Sequence, residues 1–432
     1  MNKRYLAGMV GLAVFVLGGY SVSGRDRFVS PSGSETGGYT NWAMASKTIQ
    51  QAINACSNGD TVWVTNGIFN ISSQISVTKG ITVSSLNGAT ATVIDGGGIT
   101  RCVSISASNS IVNGFTIRNG YLNTYPLDGA GVLILTNGLV CNSIICNNGN
   151  YNRDGGGASL EYGGTLRNCL IVSNTCNNSG WGGGVNMYNG GLVEDCTIVF
   201  NANGSGAGIS INQGGTVNNC IVYSNSGGSD LVNHSGGTVT YSCVPQNGSF
   251  SGVGNITNNP LFAMGFHLAT NSPCINKGTN QSWMATATDL DGLSRISSVV
   301  VDMGAYETHF DSDGDGIPDA WTLQYFGHIT GQVGDKSLAS DDADGDGYTN
   351  LEEYQNGGNP KVFDIGSAYV WTAIEVGWKS VSGTNYQVQC VTDLAATNWV
   401  NLGSNIVGNG AVQSVLDSCR TNTHKFYRVT VP

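Results

Sequence analysis

A segment of 24–28 residues recurs along the middle of this chain, and few folds accommodate such a repeat. RNCLIVSN (167–174), EDCTIVFN (194–201) and NNCIVYSN (218–225) align, with CNSIICNN (141–148) a looser copy. A glycine-rich element recurs beside them as GAGVLI (129–134), GGGASL (155–160), GGGVNM (182–187) and GAGISI (206–211). Asn119, Asn147, Asn174, Asn201 and Asn225 fall at spacings of 28, 27, 27 and 24. Several short apolar runs per unit, separated by Gly and Asn and lacking helical periodicity, read as strands and turns. A unit of this length cannot bury its own apolar face, so neighbours must stack. The expected fold is all-β: a right-handed parallel β-helix whose coils lie about 4.8 Å apart.

Stacking turns equivalent positions into columns. Cys169, Cys196, Cys220 and Cys243 are expected to fill one interior column as small apolar residues, and the five asparagines a second, their amides bonding to the coils above and below. The adjacent carboxylates Glu194 and Asp195 then need no catalytic role. Glu194 falls beside Arg167 on the preceding coil, which predicts a cross-rung ion pair, and Asp195 shares a turn column with Asn142, Asn168 and Asn219. Disulfides stay open, Cys390 with Cys419 being the pair nominated.

Charged residues make up 11% of the chain, well below the roughly 25% of ordinary globular proteins. The net charge of −11 is local: residues 311–353 hold eleven acids against Lys336, leaving the remainder close to neutral. No basic patch argues for nucleic acid. Residues 342–353, DADGDGYTNLEE, match an EF-hand loop. Asp342, Asp344 and Asp346 take positions 1, 3 and 5, Tyr348 offers a carbonyl, Asn350 acts directly or through water, and Glu353 closes the loop. An earlier copy, 311–322, supplies Asp311, Asp313, Asp315, the Ile317 carbonyl and Asp319, but has Thr322 at position 12. Calcium is therefore the expected cofactor, bound more weakly at the first loop.

At the N-terminus, Lys3 and Arg4 precede an apolar run from Leu6 to Leu17, which reads as a signal peptide over 1–24 with no membrane span after its removal. The remaining expected divisions are a β-helix over 25–310, a calcium-loop pair over 311–360 and a β-sandwich over 361–432. KTIQQAINAC (47–56) puts Ile49, Ala52 and Ile53 on one face of a capping helix stopped by Asn58-Gly59.

The run 28–69 resembles the N-terminal cap and first coil of extracellular β-helix proteins, polysaccharide lyases among them. NSPCINKGTN (271–280), TDLDGLSRI (288–296) and VDMGAYE (301–307) resemble the closing segment of bacterial surface proteins with a choice-of-anchor Q domain. The resemblance spans 28–308 and implies an exported bacterial protein, without catalytic residues to carry over. The acidic loops resemble dockerin-like and thrombospondin type 3 calcium segments, which adds capture by a cohesin-like partner as an alternative. GWKSVSGTNYQVQCVTDLAATNW (377–399) resembles a β-sandwich module of exported proteins. With no sortase motif or terminal hydrophobic helix, attachment is expected to be non-covalent or by another route.

Two function classes compete. A lysine-base lyase on the central coils is excluded, because no Lys occurs between Lys79 and Lys277. A hydrolase needs two suitably separated carboxylates, and Asp128, Asp154, Glu161, Glu194, Asp195 and Asp230 are too few and too scattered to nominate a pair. The loops 120–130, 148–156 and 175–183 are expected on one side of three coils, carrying Tyr121, Tyr125, Asp128, Tyr151, Arg153, Asp154 and Trp181. Aromatic faces beside an Arg/Asp pair suit a sugar chain. The expectation is a secreted or cell-surface protein that binds, or is attached at, an extracellular polysaccharide or cell-surface glycan. A polysaccharide lyase or glycoside hydrolase is the alternative.

Overall fold

The computed structural model describes residues 25–123, 128–151, 153–177, 180–202, 205–245, 252–363, 373–392, 398–418 and 426–432. The expected signal segment 1–24, Tyr125 and Cys419 lie outside these. Two compact units meet between Thr330 and Gly331, so the two acidic loops belong to different units.

The first unit is a parallel β-solenoid. Short strands are dealt in turn to three sheets, of nine, seven and seven strands, every pair parallel. A fourth, three-stranded sheet pairs Tyr121–Leu122, Gly149–Asn150 and Thr175–Cys176, and so aligns the loops that carry the aromatic residues. Strand alternation sends one residue of each pair inward. Val140, Leu166, Val193 and Val217 stack from the first sheet, Ile117, Ile145, Ile171 and Ile198 from the second, and Ile134, Leu160, Met187 and Ile211 from the third, all fully buried. The start is covered by helix α1 (Ile49–Asn54), with the Thr48 side chain capping the Gln51 amide and Ile49, Ala52 and Ile53 buried, as expected from the sequence.

Two columns differ from expectation by one residue. The buried amide ladder runs through Asn148, Asn174, Asn201 and Asn225. Each backbone N–H and side-chain Nδ2 donates to the Oδ1 of the next asparagine at 2.9–3.0 Å, and Asp230 ends the series by accepting both bonds from Asn225. Asn147 sits one place earlier. With Asn119, Ser173, Phe200 and Ser224 it occupies a left-handed turn position, φ 53–58°. Asparagine suits both places, since it tolerates positive φ and carries an amide. Similarly, Cys169, Cys196 and Cys220 are fully buried in one column, but Ser242 continues it by accepting the Cys220 N–H. Cys243 pairs in register with Ile221 instead. Every described cysteine is a free thiol.

Residues 275–307 lie along the corner between the first two sheets, where Asn142, Asn168, Asp195 and Asn219 all hold φ near +50°. Thr279 donates to Asn219 Oδ1, Gly304 to the Asn219 carbonyl and Ala305 to Thr197 Oγ1. Arg295, entirely buried, donates to Asp195 at 2.8 Å and reaches Glu307 at 3.5 Å. The closing segment is thus a lateral strap pinned by an ion pair. A Cβ on Gly304 would meet Thr197 Oγ1 at 2.7 Å, so glycine lets the strap approach this closely.

In the second unit, helix α2 (Asn350–Asn356) follows the second acidic loop. The C-terminal strands form two small antiparallel sheets, Ala373–Lys379 with Val412–Ser418, and Asn385–Val391 between Val400–Val407 and Phe426–Thr430. Among the described residues no helix is long and apolar enough to cross a membrane.

Candidate functional site: a cleft on the third sheet

The outward residues of the third sheet make a floor. Register places Leu133 and Asn186 in one outward column, where Ser159 and Ser210 are covered over, and Glu161, Tyr188 and Asn212 in the next. The stacked loops rise along one side. Together they enclose an open cleft of about 880 Å³, lined among others by Asp128, Arg153, Asp154, Glu161, Tyr162, Trp181 and Tyr188.

Asp128, Arg153, Asp154 and Trp181, expected from sequence, therefore meet in one cleft. Tyr121 and Tyr151 are exposed and do not line it, and Tyr125 lies outside the described residues. Sequence reasoning missed Arg101, Glu161, Tyr162, Asn186 and Tyr188. The signal was there: Glu161, Tyr188 and Asn212 share a column, and an outward column on a solenoid is a surface. Stacking nevertheless brings Asp128 of one coil into the same cleft as Asp154 and Glu161 of the next.

The polar side of the cleft is tightly bonded. Arg153 donates Nε and Nη2 to the two Asp128 oxygens at 3.1 and 3.4 Å. The Asp154 N–H donates to Asp128 at 3.2 Å, and the Trp181 N–H to Asp154 at 2.7 Å. Arg101 is buried and donates to the carbonyls of Asp128 and Gly129 and to Gln74 Oε1. Burial above all, then a hydrogen bond to and repulsion from the Asp128 carboxyl, push Glu161 up to about 7 against the pull of Arg101 and Arg153. Burial likewise raises Asp154, against the Trp181 N–H. Aromatic rings line the same cleft. Trp181 packs against His234 at 4.8 Å between ring centroids, and Tyr162 meets Tyr188 edge-on at 6.2 Å. Such a surface offers ring faces to sugar C–H groups and carboxyl acceptors to hydroxyls.

The acidic loops form two clusters. Asp342, Asp344 and Asp346 bring one carboxylate oxygen each within 4.8 Å of one another, as do Asp311, Asp313 and Asp315. In the second loop the N–H groups of Gly345 and Gly347 hold Asp342, and that of Tyr348 holds Asp346, which wraps the chain around one point. Glu352 serves the helix cap, leaving position 12 to the buried Glu353. Asp344 Oδ2 and Asn350 Oδ1 are buried without a hydrogen-bond partner among the described residues. Hard oxygen donors left unpaired in this arrangement fit Ca²⁺. The first loop is poorer: both Asp319 oxygens accept from Ser312, and Thr322 stands at position 12.

No known protein-family signature matches the chain, and no curated protein matches it in sequence. Among solved structures, pectate lyase Pel9A is similar at a TM-score of 0.40 and 14% identity, over 66% of this chain and 96% of that one. Pectin methylesterase from Aspergillus niger is similar at 0.30 and 11%, over 55% and 88%. At such scores neither substrate nor residue roles transfer to this chain.

Proposed function

We propose that this protein binds an extracellular glycan in the cleft on the third sheet, and that calcium in the acidic loops stabilises it. The convergence of Trp181, Tyr162 and Tyr188 with Asp154 and Glu161 in one open cleft carries this reading. A pleated floor with rungs about 4.8 Å apart is close to the length of a sugar unit and admits an extended chain. The resemblance of 271–307 to choice-of-anchor Q closing segments, and of the acidic loops to dockerin-like segments, supports an exported protein held at a bacterial surface.

Cleavage is the second reading, favoured by Glu161, a carboxyl that still carries a proton near neutral pH. Glycoside hydrolysis, however, uses carboxyls about 5 to 9.5 Å apart. Asp128 is already clamped by Arg153, which leaves it unsuited to act as the second carboxyl beside Glu161. Binding is therefore the better account.

The test is electrophoresis through gels containing single polysaccharides, with reducing-end release measured alongside. At least one polymer should retard the protein without release, and Trp181→Ala should weaken retention about tenfold, as loss of one stacking aromatic does. Retention unchanged in Trp181→Ala would remove the cleft from the account, and reducing-end release would replace binding by cleavage, by a lyase or a hydrolase.

A further inference from the structure

Both guanidinium groups lining the cleft are committed to the protein itself. Arg153 grips the Asp128 carboxylate with two nitrogens. Arg101 directs Nε and Nη2 at main-chain carbonyls and Nη1 at Gln74, the last at 2.6 Å. Among the described residues no lysine lines the cleft, and in the sequence positions 124–127, 152 and 178–179 hold no Lys, Arg or His. His234 turns its ring against Trp181. The groups left for a ligand are carboxyl oxygens of Asp154 and Glu161, amides and ring faces.

We infer that the cleft selects glycans lacking carboxylate or sulfate groups, with the Asp128–Arg153 ion pair as the element that denies acidic polymers a cation. This rests on the glycan-binding reading and adds its substrate class. A uronate would approach Asp154 and Asp128 with no guanidinium free to neutralise it, and the repulsion acts in a partly desolvated cleft, where like charges are weakly screened. A neutral sugar meets no such penalty, because carboxylates accept well from hydroxyls.

The experiment measures retention of the full chain in gels containing mixed-linkage glucan, xylan or mannan, against polygalacturonate and alginate. Calcium is held constant at pH 8, above the range in which imidazoles ordinarily titrate. A neutral polymer should retain the protein, and the acidic ones should retain it about tenfold less. Asp128→Asn releases Arg153, so the ratio of acidic to neutral retention should rise about tenfold, a gain that loss of structure would not produce. Asp154→Asn keeps the acceptor for the Trp181 N–H while removing a charge, and should shift the ratio the same way should Asp128→Asn fail to fold. Acidic retention at least equal to neutral, and abolished by Trp181→Ala, would overturn the selectivity while leaving glycan binding intact. Retention by no polymer would overturn the binding reading and the selectivity with it.

Discussion

Glu194 and Asp195 are neighbours with separate tasks. Glu194 accepts from Arg167 Nε at 2.6 Å, and that guanidinium also lies 4.4 Å over the Trp283 ring. Asp195 turns to the other side, accepting from Arg295 and from Asn219 Nδ2. Along its column each amide donates to the preceding rung, Asn168 to Asn142 and Asn142 to Asn113. The series breaks at Asp195, which has no N–H to give. Asp195 Oδ2 and Asn168 Oδ1 are accordingly both buried and unpartnered among the described residues. Asp195→Asn would restore that bond, regaining about 1 kcal/mol, but would remove a charge-assisted bond from Arg295, which keeps Glu307, at a cost of about 1.5–3 kcal/mol. A net loss of about 0.5–2 kcal/mol in urea unfolding is expected; an unchanged midpoint would show that the strap does not need this pair. The Arg167–Glu194 contact was legible because both residues lie in the repeat. Arg295 lies 100 residues from its partner, outside any repeat, and nothing in the sequence aligns them.

Among the structural elements, the asparagine ladder and the calcium loops show what a pattern can and cannot specify. Spacing identified the ladder's rungs, but Asn147 and Asn148 are adjacent, and only hydrogen bonding distinguishes a left-handed turn residue from a ladder residue. The distinction is testable. Asn174→Ala removes an acceptor for two buried donors of Asn148 and should cost about 2–4 kcal/mol. Asn147→Gly keeps the positive φ and should change stability by less than about 1 kcal/mol. Equal effects in urea titrations would contradict the assignment. The cleft was half legible for a related reason: loop residues stand out by composition, whereas Glu161 and Tyr188 look like ordinary outward strand positions until the sheet stacks them. For the loops, calcium at 100 times its dissociation constant should stabilise the second unit by about 2.7 kcal/mol. Glu353→Gln should abolish most of that gain, and Thr322→Glu should strengthen the first loop. A thermal transition indifferent to calcium and to Glu353→Gln would refute the site.

Across the whole molecule, the strap concentrates more buried acid than it can neutralise. Arg295 is one cation among Asp195, Glu307, Asp302 and Asp289, all buried. Burial, and then repulsion from Asp302, push Glu307 up to about 8 against the pull of Arg295, and burial pushes Asp195 up to about 6 despite the same cation. A carboxyl whose folded value lies above its unfolded one binds more protons when folded. Its stabilising contribution is complete below the unfolded value, near 4.5 for Glu307, and is lost as pH rises through about 8. His309 works in the opposite direction, being lowered chiefly by burial, so it favours the folded state above the ordinary imidazole range. At fixed calcium the urea midpoint of the first unit should therefore fall from pH 7 to pH 8, a fall that the buried thiols, also pushed up by burial, continue towards pH 9. Glu307→Gln, neutral at every pH and close in shape, should make that fall measurably shallower between pH 7 and pH 8. If the midpoint is level between pH 7 and pH 8 in the wild type, or falls as steeply there in Glu307→Gln, the strap is not what makes the fold sensitive to pH in that interval.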